Sequence, residues 1–591
     1  MLQSLLTRVM NRVSKGNGKR FLQLAQLLLL MAWPLLLTET ESYFAIYVIC
    51  SIAAAVAFVL NRSNTAAESK LVYAVTVAFS CLFSLLVLLA NYPVFFPIRE
   101  NLFETVTAFL GGVVVAENVL LLLYRRLPET SVQKRCASPW RTAIAFLVPF
   151  GIFSAICLLY LFFSAYPGLL TNDSMTQIRQ SLNGITSNHH PFWHTVLIKG
   201  ILAIGVRLFG NVTDAVALYS VCQVLFFAAA VAFSLMTLYQ AGVKKRTIVL
   251  CGLPFAVLPY HIVYSVTMWK DVVLAVATLF FVAFFFRTLK GIGNKIVNAV
   301  FLFVFTVLFC VWRSNAWLAM VASVVLFFLY LRKRHIKSVV LILAAVVVAW
   351  VMRSPVISAM GVQQPDFVES LSIPVQQIAR VIVDGGDISD EDYKMLDRIM
   401  DVEEVKSLYL HFISDPIKDE IRSKDQAYLV ENKMEFLKLW IRVGVHNPSS
   451  YVKAWVNQTR GYYNSGYAYW IFPDGQDNAD LGVEKQPLDN PINTAFERAI
   501  ATMKSHVLAK PFISIGFCVW ALTALGVVLF LRRREEVVLT IPLLIAVATL
   551  LVATPVFSEF RYVYFMFVTL PFLATVGVHK FEDVKGEKEN G

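Results

Sequence analysis

Long apolar runs separated by short polar breaks fill most of this chain. They fall at about 21–37, 43–60, 71–90, 103–124, 141–165, 212–239, 247–264, 271–288, 294–312, 315–331, 337–352, 511–531, 536–556 and 562–579. Each approaches the ~20 residues that carry a helix across a ~30 Å hydrocarbon core. The pattern predicts fourteen transmembrane helices. The segment 192–209 differs: it is amphipathic and contains His194, Lys199 and Arg207, which predicts a helix lying in the interface. Between 353 and 510 the apolar positions recur at the spacing of short surface helices. Gly385-Gly386 ends one such run, Ser389-Asp-Glu-Asp opens the next, and Asn447-Pro448 opens another. The expected fold is therefore an all-α polytopic membrane protein. It divides into a four-span region (1–140), a membrane core with an outer loop at 166–211 (141–352), a mostly helical extracytoplasmic domain (353–510), and three spans with a tail (511–591).

Composition agrees with that pattern. Of 591 residues, 57% are hydrophobic and only 16% charged, and the mean hydropathy is +0.63, which excludes a string of soluble domains. The eight cysteines form no CxxC pair and none lies in 353–510, so a disulfide framework is excluded as well. The net charge of +12 suggests an anionic macromolecular partner only until it is located. Residues 353–510 hold 23 acidic and 17 basic side chains, and the rest of the chain holds 35 basic and 17 acidic ones. With both termini in the cytoplasm, most of that basic excess falls in cytoplasmic loops, as the positive-inside rule requires, and 353–510 falls outside. The assignment works only if 174–209 does not cross. The first run follows Lys15–Arg20 but lacks a small-x-small cleavage site, so it reads as a retained span. No nucleic-acid motif is present.

Seven basic residues escape the inside rule: Arg99, Arg179, Lys199, Arg207, Lys270, Arg313 and Arg561. Charges at the edge of a bilayer persist when paired or functional. Three sit in tight outer turns, Trp269-Lys270-Asp271, Trp312-Arg313-Ser314-Asn315 and Glu559-Phe560-Arg561-Tyr562. Lys270–Asp271 and Glu559–Arg561 read either as local pairs or as parts of an anion site. Arg313 has no acid in its own turn, and a guanidinium matches a phosphate by a planar fork.

All three turns face the side of the loop that carries Asp173. That residue stands at the start of a helix, so it reads as an N-cap or as a general base for an acceptor hydroxyl. Next come Gln177 and then Ser187-Asn188-His189-His190-Pro191-Phe-Trp193-His194, where Pro191 suits a first helical turn. His190 and His194 are four apart and could share a helix face. With Asp173 they could hold a divalent metal, or they could hydrogen-bond a phosphate or sugar. The aromatic run Tyr462, Tyr463, Tyr467, Tyr469 and Trp470 is either packing or a stacking platform for sugar rings. Asn211 and Asn457 begin glycosylation sequons of the kind that chance supplies.

These motifs together resemble the GT-C superfamily of membrane glycosyltransferases. Tyr166-Pro-Gly, Asn172-Asp173-Ser174, Gln177, Asn188-His189-His190-Pro191, Trp269-Lys270-Asp271 and Arg313-Ser-Asn315 are similar to a bacterial GT-C-like family of polytopic proteins. The segments Ser372–Arg380 (with Gln376, Gln377), Tyr451–Gly461 and Arg561-Tyr562 extend the likeness over roughly 140–580. The resemblance implies a bacterial cell-membrane enzyme that moves a sugar from a polyprenyl-phosphate carrier to an extracytoplasmic glycan or glycolipid, with inversion. In that reading Asp173 is the base, and Lys270, Arg313 and Arg561 hold the donor phosphate. His189, His190, His194, Gln177, Asp271, Asn315, Gln377, Arg380, Tyr462 and Tyr463 become candidate substrate-binding residues. No DxD, ExD or WWD-type motif is present, which favours a reaction without a metal or other cofactor. The competing reading is a lipid-linked glycan transporter or flippase, for which charges near the midplane are expected; Glu117 is the one acid there.

Overall fold

The computed structural model describes residues 17–37, 41–62, 69–95, 101–135, 138–331, 334–465, 470–485 and 489–581. Arg99, Cys136, Tyr467, Tyr469 and the final ten residues lie outside that set. The protein is an all-α polytopic membrane protein, with a helix in each of the fourteen apolar ranges. Among the described residues, eleven helices are long and apolar enough to cross a membrane, or twelve if one bent pair counts as a span. Leu22–Leu36, Ile46–Asn61 and Ile515–Leu531 are apolar but shorter.

Most helices start and stop as side-chain chemistry dictates. Ser69, Ser138, Asn211 and Asn294 each accept a first-turn N–H. The range 247–264, expected as one span, breaks instead into Lys245–Val257 and Pro259–Ser265, bent by 66°. Pro259 disfavours the helical conformation at Leu258 and opens the second piece. The helix Lys270–Lys290 is apolar on every face, and 94% of its apolar window is buried, so it forms the axis of the bundle. Two three-residue strands, Thr130–Val132 and His579–Phe581, pair in parallel and tie the first helices to the last. They are the small departure from an all-helical expectation.

The bundle has two polar faces. On one, Arg532 reaches Glu129 and the Tyr124 carbonyl, Lys134 donates to the Gly291 carbonyl, Arg135 donates to the Val243 carbonyl, and Lys290, Arg334 and His335 converge on Glu535. Those are the basic loops of the sequence. The opposite face carries a compact helical unit with its own core, built from Val368, Ile378, Leu396, Ile417, Leu439 and their neighbours through Tyr451. This is the domain face.

The helix Phe192–Phe209 has both ends on the domain face. At its start, Trp193 donates to the Met352 carbonyl at 3.0 Å, and the His194 ring meets Trp312 edge-on at 5.8 Å. Both partners are the last turns of bundle helices. At its end, Gly210 (φ +80) closes the helix, and the chain turns directly into Val212–Gln240. Gly205 lies against Ala215 there, and a Cβ at Gly205 would stand 2.5 Å from the Ala215 Cα. Only glycine permits that tight corner. By length and hydropathy alone the helix would pass as a span, but its contacts lay it along one face.

Candidate functional site

Asp173 is positioned by backbone stitching between two loops. Leu169 N donates to the Val266 carbonyl at 2.9 Å, and Met268 N donates back to the Leu169 carbonyl at 3.0 Å. Ser174 donates to the Met268 carbonyl at 2.8 Å, and the Trp269 indole donates to Thr171 Oγ1 at 2.7 Å. Within the bundle, Gln223 gives its amide N–H groups to the carbonyls of Tyr264, Ser265 and Thr267 at 3.3, 2.9 and 2.8 Å. The Tyr264 and Thr267 carbonyls also accept from Thr267 N and Trp269 N, at 3.1 and 2.8 Å, and the one amide ties all three carbonyls of this buried turn to the neighbouring helix. The helices Asn172–Asn183 and Lys270–Lys290 therefore begin side by side. The N-cap of the first is Thr171, whose own N–H donates to Ser174 Oγ at 3.2 Å. Asp173 sits inside the first turn, so the N-cap reading is replaced and its carboxylate is left for other partners.

Those partners are cations. Asp173 Oδ2 accepts from Arg561 Nη1 at 2.8 Å and lies 3.7 Å from Lys270 Nζ. Arg561 also approaches Glu559 at 3.4 Å and covers the faces of Trp269 and Tyr562 at 5.1 and 5.3 Å. Lys270 lies 3.4 Å from His190 Nδ1. Burial would raise the Asp173 pKa, but Lys270 and Arg561 outweigh it and hold the carboxyl well below the usual range. His190 is lowered to about 3 by burial, with Lys270 beside it, so its ring is neutral. Burial pushes the Glu559 carboxyl up to about 7 against the pull of Arg561.

Arg313 finds an acid after all. Its partner is Asp271 from the neighbouring turn, at 2.5 Å, with the guanidinium over the Tyr562 ring at 4.1 Å. The Asp271 side chain is 0% exposed. The expected local pair Lys270–Asp271 is thus split: Lys270 turns to Asp173 and Asp271 to Arg313. The four charges form two cross-linked pairs on adjacent helix ends. A cavity of about 720 Å³ opens onto Asp173 and Arg561, with Asn172, Trp470, Asp474 and Gln476 completing its wall. Trp470 meets Trp269 edge to face at 5.8 Å, and Gln476 N donates to the Leu170 carbonyl at 3.0 Å. Asp474 and Gln476 carried no motif in the sequence, and Gln223 was visible only as an amide inside an apolar run.

The histidines part company. His190 precedes the helix, because Pro191 is the residue before its first turn and Asn188 Oδ1 accepts from Phe192 N at 2.9 Å. His194 is buried inside the helix, with Nδ1 3.1 Å from Gln177 and Nε2 2.9 Å from the Tyr219 hydroxyl. Both its nitrogens and the Gln177 carbonyl are thereby occupied, so His190, His194 and Asp173 do not form a ligand set. Among the described residues, no three His, Cys, Asp or Glu side chains converge to hold a metal. His189 is half exposed and 3.9 Å from Glu369.

The remaining candidates lie elsewhere. Asn315 donates to Thr549 at 3.2 Å. Gln377 accepts from the Trp440 indole at 2.9 Å inside the polar domain, and Arg380 pairs with Asp384 at 2.9 Å. Tyr462 is fully buried, its hydroxyl on Thr554 and the Val556 carbonyl at 3.0 Å, and it accepts from Glu559 N at 3.3 Å. Tyr463 stacks on Trp455 in the core of the first helices. These two tyrosines are packing residues, and neither presents a ring to a ligand.

Compared with known proteins, residues 181–590 match the model of a family of unknown function (DUF6020), and the chain belongs to that family. No curated protein and no solved structure gives a match.

Proposed function

We propose that this member of DUF6020 is a GT-C-type membrane glycosyltransferase that takes a sugar from a polyprenyl-phosphate carrier and passes it to an extracytoplasmic glycan or glycolipid. One observation carries the reading: Asp173 and Arg561, a carboxylate and a cation, line a cavity on the domain face, and a second cation, Lys270, stands behind Asp173 at 3.7 Å. We take that face as extracytoplasmic, in a bacterial cell membrane crossed by fourteen helices.

The chemistry follows from the pairing. A donor phosphate entering the cavity competes with Asp173 for Arg561 and Lys270, since guanidinium and ammonium bind phosphate as readily as carboxylate. Losing those partners raises the proton affinity of Asp173 at the moment the donor is seated. Asp173 then takes the acceptor O–H proton, the acceptor oxygen bonds to the anomeric carbon from the far side, and the carbon–oxygen bond to phosphate breaks. The polyprenyl phosphate leaves with the electron pair, its charge held by Arg561 and Lys270. Arg313, bonded to Asp271, acts at one remove by fixing the turn beside Lys270. Trp470, Asp474 and Gln476 offer an aromatic face and polar groups for a sugar ring.

A second feature supports a lipid-linked donor. An apolar slot of about 390 Å³ runs between the broken helix and the helices Ile515–Leu531 and Phe560–Gly577, lined by Leu250, Pro254, Tyr260, Phe517, Phe567 and Leu570 among others. Tyr260 in its wall packs on Phe560, the neighbour of Arg561, at 5.3 Å. A flippase is less well supported, because the charges gather at helix ends on one face. The test is incubation of purified protein with labelled polyprenyl-phosphate sugars and membrane glycans. Acceptor labelling that is lost in Asp173→Asn is expected; release of label on the far side of a vesicle without transfer would favour the transporter.

A further inference from the structure

A second basic cavity lies apart from Asp173, where the polar domain meets the first bundle helices. Its volume is about 430 Å³, and its wall includes Tyr92, Arg380, Tyr409, His411, Asn457 and Arg460. The residues come from four separate places: the end of Ser372–Asp384, the segment after Val402–Leu408, the end of Pro448–Thr459, and Tyr92–Phe95, which follows the last turn of a bundle helix on the domain face. That last position sets the cavity at the level of lipid headgroups.

Its electrostatics are lopsided. Asp384 holds Arg380 from one side, through contacts of 2.9 and 3.0 Å, and is itself shared with Ser450 at 2.7 Å. Among the described residues, no carboxylate lines the cavity. Burial, together with Arg460 and Arg380, depresses the proton affinity of His411, as expected for a site of positive potential. The largely buried Tyr409 hydroxyl has no well-formed hydrogen bond, although Arg380 stands beside it. Two guanidinium groups, an imidazole, an amide and two phenols thus surround one space from different directions. A planar carboxylate offers two oxygens to such a set. A tetrahedral phosphate offers more, and in more directions.

We propose that this cavity binds a phosphate-bearing headgroup, supplied by an anionic lipid of the membrane or by a soluble phosphate ester. The proposal is independent of the transferase reading, since it uses no residue of the Asp173 cavity.

The test uses the full-length protein in phosphatidylcholine nanodiscs. Retention of added phosphatidylglycerol is read by native mass spectrometry, and binding of glycerol 3-phosphate and inorganic phosphate by calorimetry. Arg460→Gln and Arg380→Gln should each weaken binding about tenfold or more, the loss expected for a charge-assisted hydrogen bond. Arg460→Lys should fall between, because it keeps the charge and loses the fork. If Arg460→Gln does not fold, Arg380→Gln and the exposed His411→Asn carry the test, with fluorescence melting as the control. Retention of phosphatidylglycerol without binding of the soluble esters identifies a lipid source, and binding of glycerol 3-phosphate identifies a soluble one. If no phosphate probe binds, or all variants bind like the native protein, the proposal is overturned.

Discussion

Asp173→Asn separates the proposed base from a mere salt-bridge residue, because it should move two quantities in opposite directions. The substitution keeps the side chain's shape and removes its charge. Arg561 loses the charge on its 2.8 Å acceptor, and Lys270 loses an ion-pair partner at 3.7 Å. A charge-assisted hydrogen bond of this kind is worth about 1.5–3 kcal/mol net. In the native protein a donor phosphate must displace it; in the variant it need not. Donor affinity should therefore rise roughly 10- to 100-fold. Transfer should fall about 100- to 10,000-fold, the usual contribution of a positioned base. The assay pairs equilibrium binding of a labelled polyprenyl-phosphate sugar with single-turnover transfer. Undiminished transfer would refute the base assignment. Weakened donor binding in a folded variant would refute the competition between carboxylate and phosphate.

Asp271 and Arg313 form the more buried pair, so Asp271→Asn should cost about 3–5 kcal/mol of stability by stranding the guanidinium. In a double-mutant cycle, Asp271→Asn with Arg313→Gln should lose less than the two singles together, and simple additivity would show that the pair is not coupled. Glu559 is raised to about 7 in the folded protein, so between the ordinary carboxyl range and pH 7 the folded form binds a proton that the unfolded chain has released. Its contribution to stability is full at low pH and is lost as pH rises through about 7; Glu559→Gln should flatten that slope in thermal melts from pH 5 to 8. Asp173 stays charged throughout that window, whereas His190, held neutral in the fold, adds stability as pH rises toward its ordinary value near 6.5; the Glu559 effect is therefore read as the difference in slope between Glu559→Gln and the native protein, and identical slopes would refute it. In a cysteine-free background, Asn183→Cys and Asn211→Cys should both react with an impermeant maleimide from the same side. Reaction at only one would mean that Phe192–Phe209 crosses the bilayer.

Much of the fold follows from single runs of sequence, because a bilayer acts on each run separately. An apolar stretch near twenty residues must satisfy its own backbone hydrogen bonds, and a helix is the way one segment does so. Hence each of the fourteen ranges holds a helix, whereas 192–209, which passes as a span by length and hydropathy, is set apart by His194, Lys199 and Arg207 together with the placement of the basic loops after it. Even there, the break at Leu258 was legible only in the proline after it. The residues of the site could be suspected one by one, since cations beside a bilayer need a reason to persist.

Their pairing could not be read the same way. Asp173 and Arg561 are 388 positions apart, and Arg313 and Asp271 are 42 apart; no local rule selects among such partners. Sequence proximity favoured Lys270 with Asp271, and the packing of adjacent helix ends exchanged them. The same applies to His194, whose place on an apparent polar face turned out to be a buried hydrogen-bond network with Gln177 and Tyr219. The sequence by itself determined which segments enter the membrane and which residues are costly there. The tertiary structure decided which of those charges neutralise one another and which face the cavity, because a charge at low dielectric is governed by its nearest neighbours in space.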